Sequence, residues 1–274
     1  MGLAQMFQTH FRFNPLYLKI TPSYRIMQLF FRKSHRIFYL AMVICCFALC
    51  FPILWLLAKK PEKHFNKLVF FRKWISKISA ALSGIRFEYH FEELIDWSIP
   101  YVLCPNHTSI LDISVLTHLC PQPFSFIGKA ELLKNPVTAI FFRSIDIPVD
   151  RNNRMSAFRA FKSGHETLQK GRSLVVFPEG KIDDKYPPRL HPFKSGPFRL
   201  AQENNVAILP VIIHNAWDLF WDDGARFGTK PGVIKVSVLR PILPNADVSN
   251  AVPPIEELVY SRMNESWLSK KIIS

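Results

Sequence analysis

Tyr101-Val102-Leu103-Cys104-Pro105-Asn106-His107-Thr108-Ser109-Ile110-Leu111-Asp112 is the stretch on which the reading of the fold turns. Its first four residues make a short apolar run between Pro100 and Pro105, rich in strand formers, and read as a buried strand. Ser109, with Asp112 three residues later, resembles a helix start with an acid in the first turn. Residues five apart on a regular helix point about 140° away from each other, given 3.6 residues per turn. His107 and Asp112 therefore meet only if the histidine lies in the loop and the aspartate in the first turn. In that case the carboxylate holds one ring nitrogen and leaves the other to take a proton from substrate. On the local pattern alone, a polar loop histidine and a capping aspartate account for the same residues.

Outward from this stretch, strands and helices alternate. Strands are predicted near 86–91, 101–104, 124–127, 145–149, 173–177, 207–213 and 233–239, with helices near 109–119, 136–143, 154–170 and 195–204. Phe158, Phe161, His165 and Leu168 repeat at helical spacing, and Gly171 is a good stop. The pattern predicts an α/β domain with a mixed, largely parallel sheet covered by helices. Sites in such sheets gather at the C-terminal strand ends, where His107, Arg151 and Glu179 all fall. Asp183–Pro192 reads as a polar, proline-rich loop over the site. His118, among apolar neighbours, reads as a packed core histidine, and Trp217–Asp223 as rim packing.

Of the 274 residues, 35 are Lys or Arg and 21 are Asp or Glu, so the surface is basic by 14 charges. Nucleic acid, anionic lipid and an acidic carrier protein would each suit that balance. No nucleic-acid motif, Walker loop or zinc spacing is present, which sets the first aside. Cys45, Cys46 and Cys50 share one apolar segment and read as small hydrophobes.

Residues 1–36 carry basic residues and no acid. Ile37–Ala58 is apolar apart from Tyr39, contains Pro52, and is long enough for a transmembrane helix. Lys59, Lys60, Lys63 and Lys67 follow, so both flanks are positive and orientation is undetermined. A bilayer span and a Pro52-kinked helix embedded from one face both stay open. Leu68, Phe71, Ile75, Ile78 and Leu82 then mark a second helix with a basic side of Lys67, Lys73 and Lys77. Such a helix suits an anionic membrane surface; ordinary packing on the domain is the alternative. The chain thus divides into a basic segment (1–36), a membrane-embedded or interfacial hairpin (37–83) and a catalytic domain (84–274).

Four blocks in order resemble the glycerolipid acyltransferase superfamily, most closely its bacterial 1-acyl-sn-glycerol-3-phosphate acyltransferases. They are Asn106–Asp112; Lys129-Ala130-Glu131-Leu132 with Arg151; Phe177-Pro178-Glu179-Gly180; and Ile208-Leu209-Pro210-Val211-Ile212. Phe193-Lys194-Ser195-Gly196 also looks like the family. The resemblance implies catalysis by His107 and Asp112, with Lys129 and Arg151 on an acceptor phosphate and Glu179 positioning the acceptor. It implies a membrane enzyme of phospholipid biosynthesis, with its catalytic domain on the cytoplasmic face. A lysophospholipid would accept the acyl group, and acyl-CoA or acyl carrier protein would donate it as co-substrate. No bound cofactor or metal is expected, since a thioester is already activated. The Glu179-Gly180 turn is expected to offer a backbone N–H to the oxyanion. One departure stands out: many members follow the third block with Thr-Arg, whereas this chain has Lys181-Ile182. Lys181 is read as a cation for the anionic headgroup, and the departure keeps other lysolipid acceptors open. A non-catalytic membrane-binding protein would explain the N-terminus but not the four blocks.

Overall fold

A computed structural model of the chain describes residues 22–182, 185–244 and 254–271; residues 1–21 of the basic N-terminal segment and Asp183 of the proline-rich loop lie outside the described residues. Its strands are β1 (Ile85–Phe91), β2 (Val102–Pro105), β3 (Phe124–Lys129), β4 (Ile147–Val149), β5 (Ser173–Val176), β6 (Ile208–Ile213) and β7 (Gly232–Val238). They form one seven-stranded sheet in the order β1-β7-β6-β2-β5-β3-β4. Every neighbouring pair is parallel except β6 with β7. The C-terminal ends of β2, β3, β4, β5 and β6 therefore share one edge of the sheet.

Both faces of the central strands are covered, which is why they read as continuous apolar runs. Leu103, Val175, Leu209, Val211 and Ile213 enter one core, while Val102, Cys104, Leu174, Ile208 and Ile212 enter the other. The first core is closed by α1 (Pro22–Ala58), α2 (Pro61–Leu82), α3 (Leu111–Leu119) and α4 (Pro136–Phe142). The second is closed by α5 (Arg154–Gln169), α6 (Gly196–Asn204) and α8 (Ile255–Lys271). A short α7 (Ala216–Leu219) lies between β6 and β7. All five cysteines are free thiols. His118 packs against the Phe87 ring at 4.4 Å, and burial pushes its pKa down, as befits a core histidine.

α1 and α2 form a helical hairpin joined by Lys59 and Lys60. α1 begins at Pro22, well before the apolar run, and Pro52 lies inside it without ending it. The interior residue with non-helical dihedrals is His64 of α2 (φ −113°, ψ 16°). The basic first part of α1 stays helical because its polar side chains find backbone partners outside the helix. Arg32 donates to the Asp218 carbonyl at 2.9 Å, Arg36 to that of Asp223 at 2.8 Å, and His35 Nε2 to that of Ser83 at 3.0 Å. At the other end Glu62 pairs with Lys170 at 3.0 Å and Arg172 at 3.1 Å.

α2 buries more than its apolar stripe. Phe65, Leu68, Val69, Arg72 and Ile75 are buried, whereas Leu82 is exposed. Arg72 Nη1 donates to Asp146 Oδ1 at 2.6 Å and Nη2 to the Phe124 carbonyl at 2.8 Å, against the rings of Phe124 and Phe126. Asp146 Oδ1 also accepts from the Phe126 N–H at 2.9 Å. Both partners are buried, so truncating one strands the other's charge. Arg72→Ala is expected to cost about 3–5 kcal/mol, read as a lower denaturant midpoint; an unchanged midpoint would show that the pair contributes nothing net.

Candidate active site

The chain leaves β2 through a side chain that imitates backbone. Asn106 Oδ1 accepts from the Ile213 N–H at 2.7 Å, and its Nδ2 donates to the Ile213 carbonyl at 3.1 Å. This extends the β2–β6 pairing and fixes where His107 emerges. α3 starts at Leu111, two residues later than predicted, so Thr108 and Ser109 still belong to the loop. Asp112, fully buried in the first turn, gathers that loop on one oxygen. Its Oδ2 accepts from the Thr108 N–H at 2.6 Å, the Ser109 N–H at 2.8 Å and His107 Nδ1 at 3.0 Å. The Ser109–Asp112 pair thus makes half of a capping box, since the Ser109 hydroxyl turns instead to the Phe220 carbonyl and the Leu111 N–H.

The imidazole is held on a second side by the Phe177 ring, stacked at 4.0 Å between centroids. With Nδ1 bound to Asp112, Nε2 has no hydrogen-bond partner among the described residues. The aspartate selects the tautomer with a proton on Nδ1, which leaves Nε2 basic.

β5 delivers the adjacent turn. Glu179 is buried, and its two oxygens bracket two loops: Oε1 accepts from the His107 N–H and Oε2 from the His191 N–H, each at 2.8 Å. It positions the loop of the imidazole through backbone bonds. Gly180 adopts φ +76°, a conformation that suits glycine. Its N–H donates to the Phe177 carbonyl at 3.1 Å, so the oxyanion donor expected from this turn is not the Gly180 amide in this conformation.

The cations gather at the same edge. A Cβ on Gly180 would stand 3.3 Å from Arg151 Nη1 and 3.2 Å from Lys194 Nζ. Lys129, at the end of β3, is exposed, and so is Lys181. Asp222 is drawn into the site by the 216–230 loop, at φ +49°. Burial and neighbouring Asp223 raise its pKa, while a hydrogen bond from the Asp223 backbone and the nearby His107 and Lys129 oppose them, which puts His107 and Lys129 in one neighbourhood. The structure thus groups His107, Asp112, Glu179, Gly180, Arg151 and Lys129 along one sheet edge. Sequence reasoning missed the Asn106 bracket, the Phe177 stack, Asp222 and Lys194. Asn106, Phe177 and Lys194 stood inside the quoted blocks without a role assigned to them, whereas Asp222 was read only as rim packing. His214, by contrast, is structural: it bonds Ser237 Oγ at 2.9 Å and stacks on Trp267. The proline-rich loop is pinned by Tyr186, whose ring sits against Trp217, Trp221 and Phe227.

An imidazole fixed by a buried carboxylate, with its other nitrogen open and cations nearby, suits removal of a proton from the hydroxyl of an anionic substrate. On this α/β sheet the arrangement is a candidate general-base site with no protein nucleophile among its members. Residues 86–214 match the family model described as Acyltransferase. The human 1-acyl-sn-glycerol-3-phosphate acyltransferase beta is 27% identical over 197 residues, 71% of this chain and 69% of its own. The Saccharomyces cerevisiae 1-acyl-sn-glycerol-3-phosphate acyltransferase is 30% identical over 167 residues, 60% of this chain and 54% of its own. The mouse alpha enzyme of the same name is 31% identical over 185 residues, covering 66% and 64%. Among solved structures, the lysophosphatidic acid acyltransferase of Thermotoga maritima has the same fold. Its TM-score is 0.71 at 18% identity, covering 90% of this chain and 98% of that one. Residues 86–214 thus carry an acyltransferase-type domain.

Proposed function

We propose that this protein transfers a fatty acyl group from a thioester donor to the free hydroxyl of 1-acyl-sn-glycerol-3-phosphate, giving phosphatidic acid. The observation that carries the reading is the His107–Asp112 pair beside the Arg151 and Lys129 cations, on a chain whose relatives bear that enzyme's name. His107 Nε2 takes the acceptor hydroxyl proton as the oxygen attacks the thioester carbonyl. A C–O bond forms, the tetrahedral oxyanion collapses, the C–S bond breaks, and the imidazolium returns the proton to the departing thiolate. Asp112 holds the tautomer and stabilises the imidazolium between the two transfers. Arg151 suits the acceptor phosphate because its planar fork donates in pairs, and Lys129 adds a point charge. Gly180 allows close approach at the turn. The donor is carried by coenzyme A or by acyl carrier protein.

The hairpin is the membrane anchor, and we read it as embedded from one face. α1 is long and apolar enough to cross a bilayer. Both ends of the apolar run of α1, however, are tied to the same domain, through Arg32 and Arg36 at one and Glu62, just past the other, at the start of α2. A helix pinned in this way cannot carry one end to the far side of a membrane. Its outer face is apolar, with Ile26, Phe30, Ile37 and Leu49 each 66–76% exposed, and suits burial among lipid chains.

An acceptor panel tests the reading. Thiol release is expected with 1-acyl-sn-glycerol-3-phosphate; release only with glycerol-3-phosphate or an amino-acid-headgroup lysolipid would replace the acceptor. Lys181→Ala is expected to raise the acceptor KM and leave the donor KM unchanged, as for lost ground-state binding by a flexible charge. An unchanged acceptor KM and kcat would return Lys181 to the solvated surface.

A further inference from the structure

Lys194 and Arg151 converge on the bare backbone of Gly180. At a Cβ placed there, Lys194 Cε would be 3.1 Å away, its Nζ 3.2 Å and Arg151 Nη1 3.3 Å. Two cations are therefore held within reach of one small anion. Neither has a carboxylate within ion-pair distance among the described residues, and Glu131 is the acid that acts on Arg151 from further off. Folded chains usually separate like charges or supply a counter-charge between them. Here the backbone keeps them together. The Lys194 N–H donates to the Pro178 carbonyl at 3.0 Å, tying its segment to the Phe177–Gly180 turn. On its other side the Phe193 ring stacks at 6.0 Å on Phe198 and meets Tyr260 edge-on at 5.2 Å. One residue before Gly180, Glu179 holds the His107 N–H, so the pair stands beside the loop that carries the proposed base.

We infer that Lys194 is a specificity-determining residue that completes, with Arg151 across Gly180, a binding place for a phosphate group. Arg151 supplies the paired donors and Lys194 a third, flexible contact from the opposite side. A side chain at position 180 would enter the space between them, which gives glycine there a second reason beyond its positive φ. The identification of that phosphate as the acceptor's own rests on the proposed function.

Lys194→Met keeps the stem and removes the charge; Lys194→Arg keeps the charge. With full-length protein, the Met variant is expected to raise the KM for 1-acyl-sn-glycerol-3-phosphate roughly ten- to a hundred-fold, the size of a lost charged hydrogen bond. Its kcat and donor KM should hold, inhibition by inorganic phosphate should weaken in parallel, and Lys194→Arg should recover most of both. An unchanged acceptor KM together with unchanged phosphate inhibition in Lys194→Met would overturn the inference. Calorimetric titration with inorganic phosphate decides it independently of turnover. Binding by the parent protein that is lost in Lys194→Met supports the site even if no phosphate-bearing acceptor is acylated, in which case the proposed function alone fails. Equal binding by both removes Lys194 from the site.

Discussion

His107→Ala is expected to lower acyl transfer by roughly 10²–10⁴-fold, the usual worth of a positioned general base, while the protein stays folded and bound to membranes. The structure makes this a clean substitution. The imidazole is partly exposed, and its side chain gives up one hydrogen bond and one ring stack. The Thr108 and Ser109 N–H groups remain on Asp112, so the loop keeps its shape. Asp112→Asn is expected to be as severe for a different reason. An amide that offers its N–H to Nδ1 favours the tautomer with its proton on Nε2, where no proton can be accepted. It also weakens the two backbone bonds on Oδ2, so some stability is lost with activity. Near-normal turnover in His107→Ala would remove the mechanism.

The other large effect concerns the N-terminal hairpin. Deleting residues 1–82 is expected to yield an aggregated or unfolded domain in place of a soluble, active one. Leu54, Phe65, Leu68, Val69 and Ile75 all enter the first core cluster. At about 1.5–3 kcal/mol for each large apolar side chain, their burial is worth on the order of 10 kcal/mol, comparable to the whole stability of a typical domain. Deletion also removes Arg72, which leaves Asp146 buried without its cation. Flotation with lipid vesicles, read beside circular dichroism, separates the outcomes. A folded fragment that floats as firmly as the full chain would overturn the anchor assignment. A soluble, active fragment would overturn the packing argument.

What the sequence disclosed follows from which forces are local. Val102–Cys104 and Ile208–Ile213 announce buried strands because each residue faces a covered side of the sheet, whichever strand is its neighbour. The His107–Asp112 contact followed from spacing, because the five-residue gap excludes a shared helix and leaves a loop and a first turn. Strand order and the antiparallel step between β6 and β7 are long-range choices with no local sign. The same holds for Arg72, a cation inside an apolar stripe whose burial depends on Asp146, 74 residues away. α8 went unread because its buried row is narrow, with Val259, Met263 and Trp267 four residues apart among polar neighbours. The hairpin boundary was drawn at the change from charge to apolar residues. The helix ignores that change because Arg32 and Arg36 donate to carbonyls of α7 and the loop that follows it. Lys194 could be noticed as part of a block, but its convergence on Arg151 needed three segments to be folded together.

The central claim is that a thioester is opened by a lipid hydroxyl whose proton passes to His107. Its most direct test is a product balance with the full-length protein in vesicles, given an acyl thioester and 1-acyl-sn-glycerol-3-phosphate. Free thiol and phosphatidic acid are measured together, by chromogenic reaction and mass spectrometry. The account predicts that they appear in equal amounts, that neither forms without the acceptor, and that both vanish in His107→Ala. Thiol released with free fatty acid and no phosphatidic acid, or phosphatidic acid formed undiminished by His107→Ala, would contradict it.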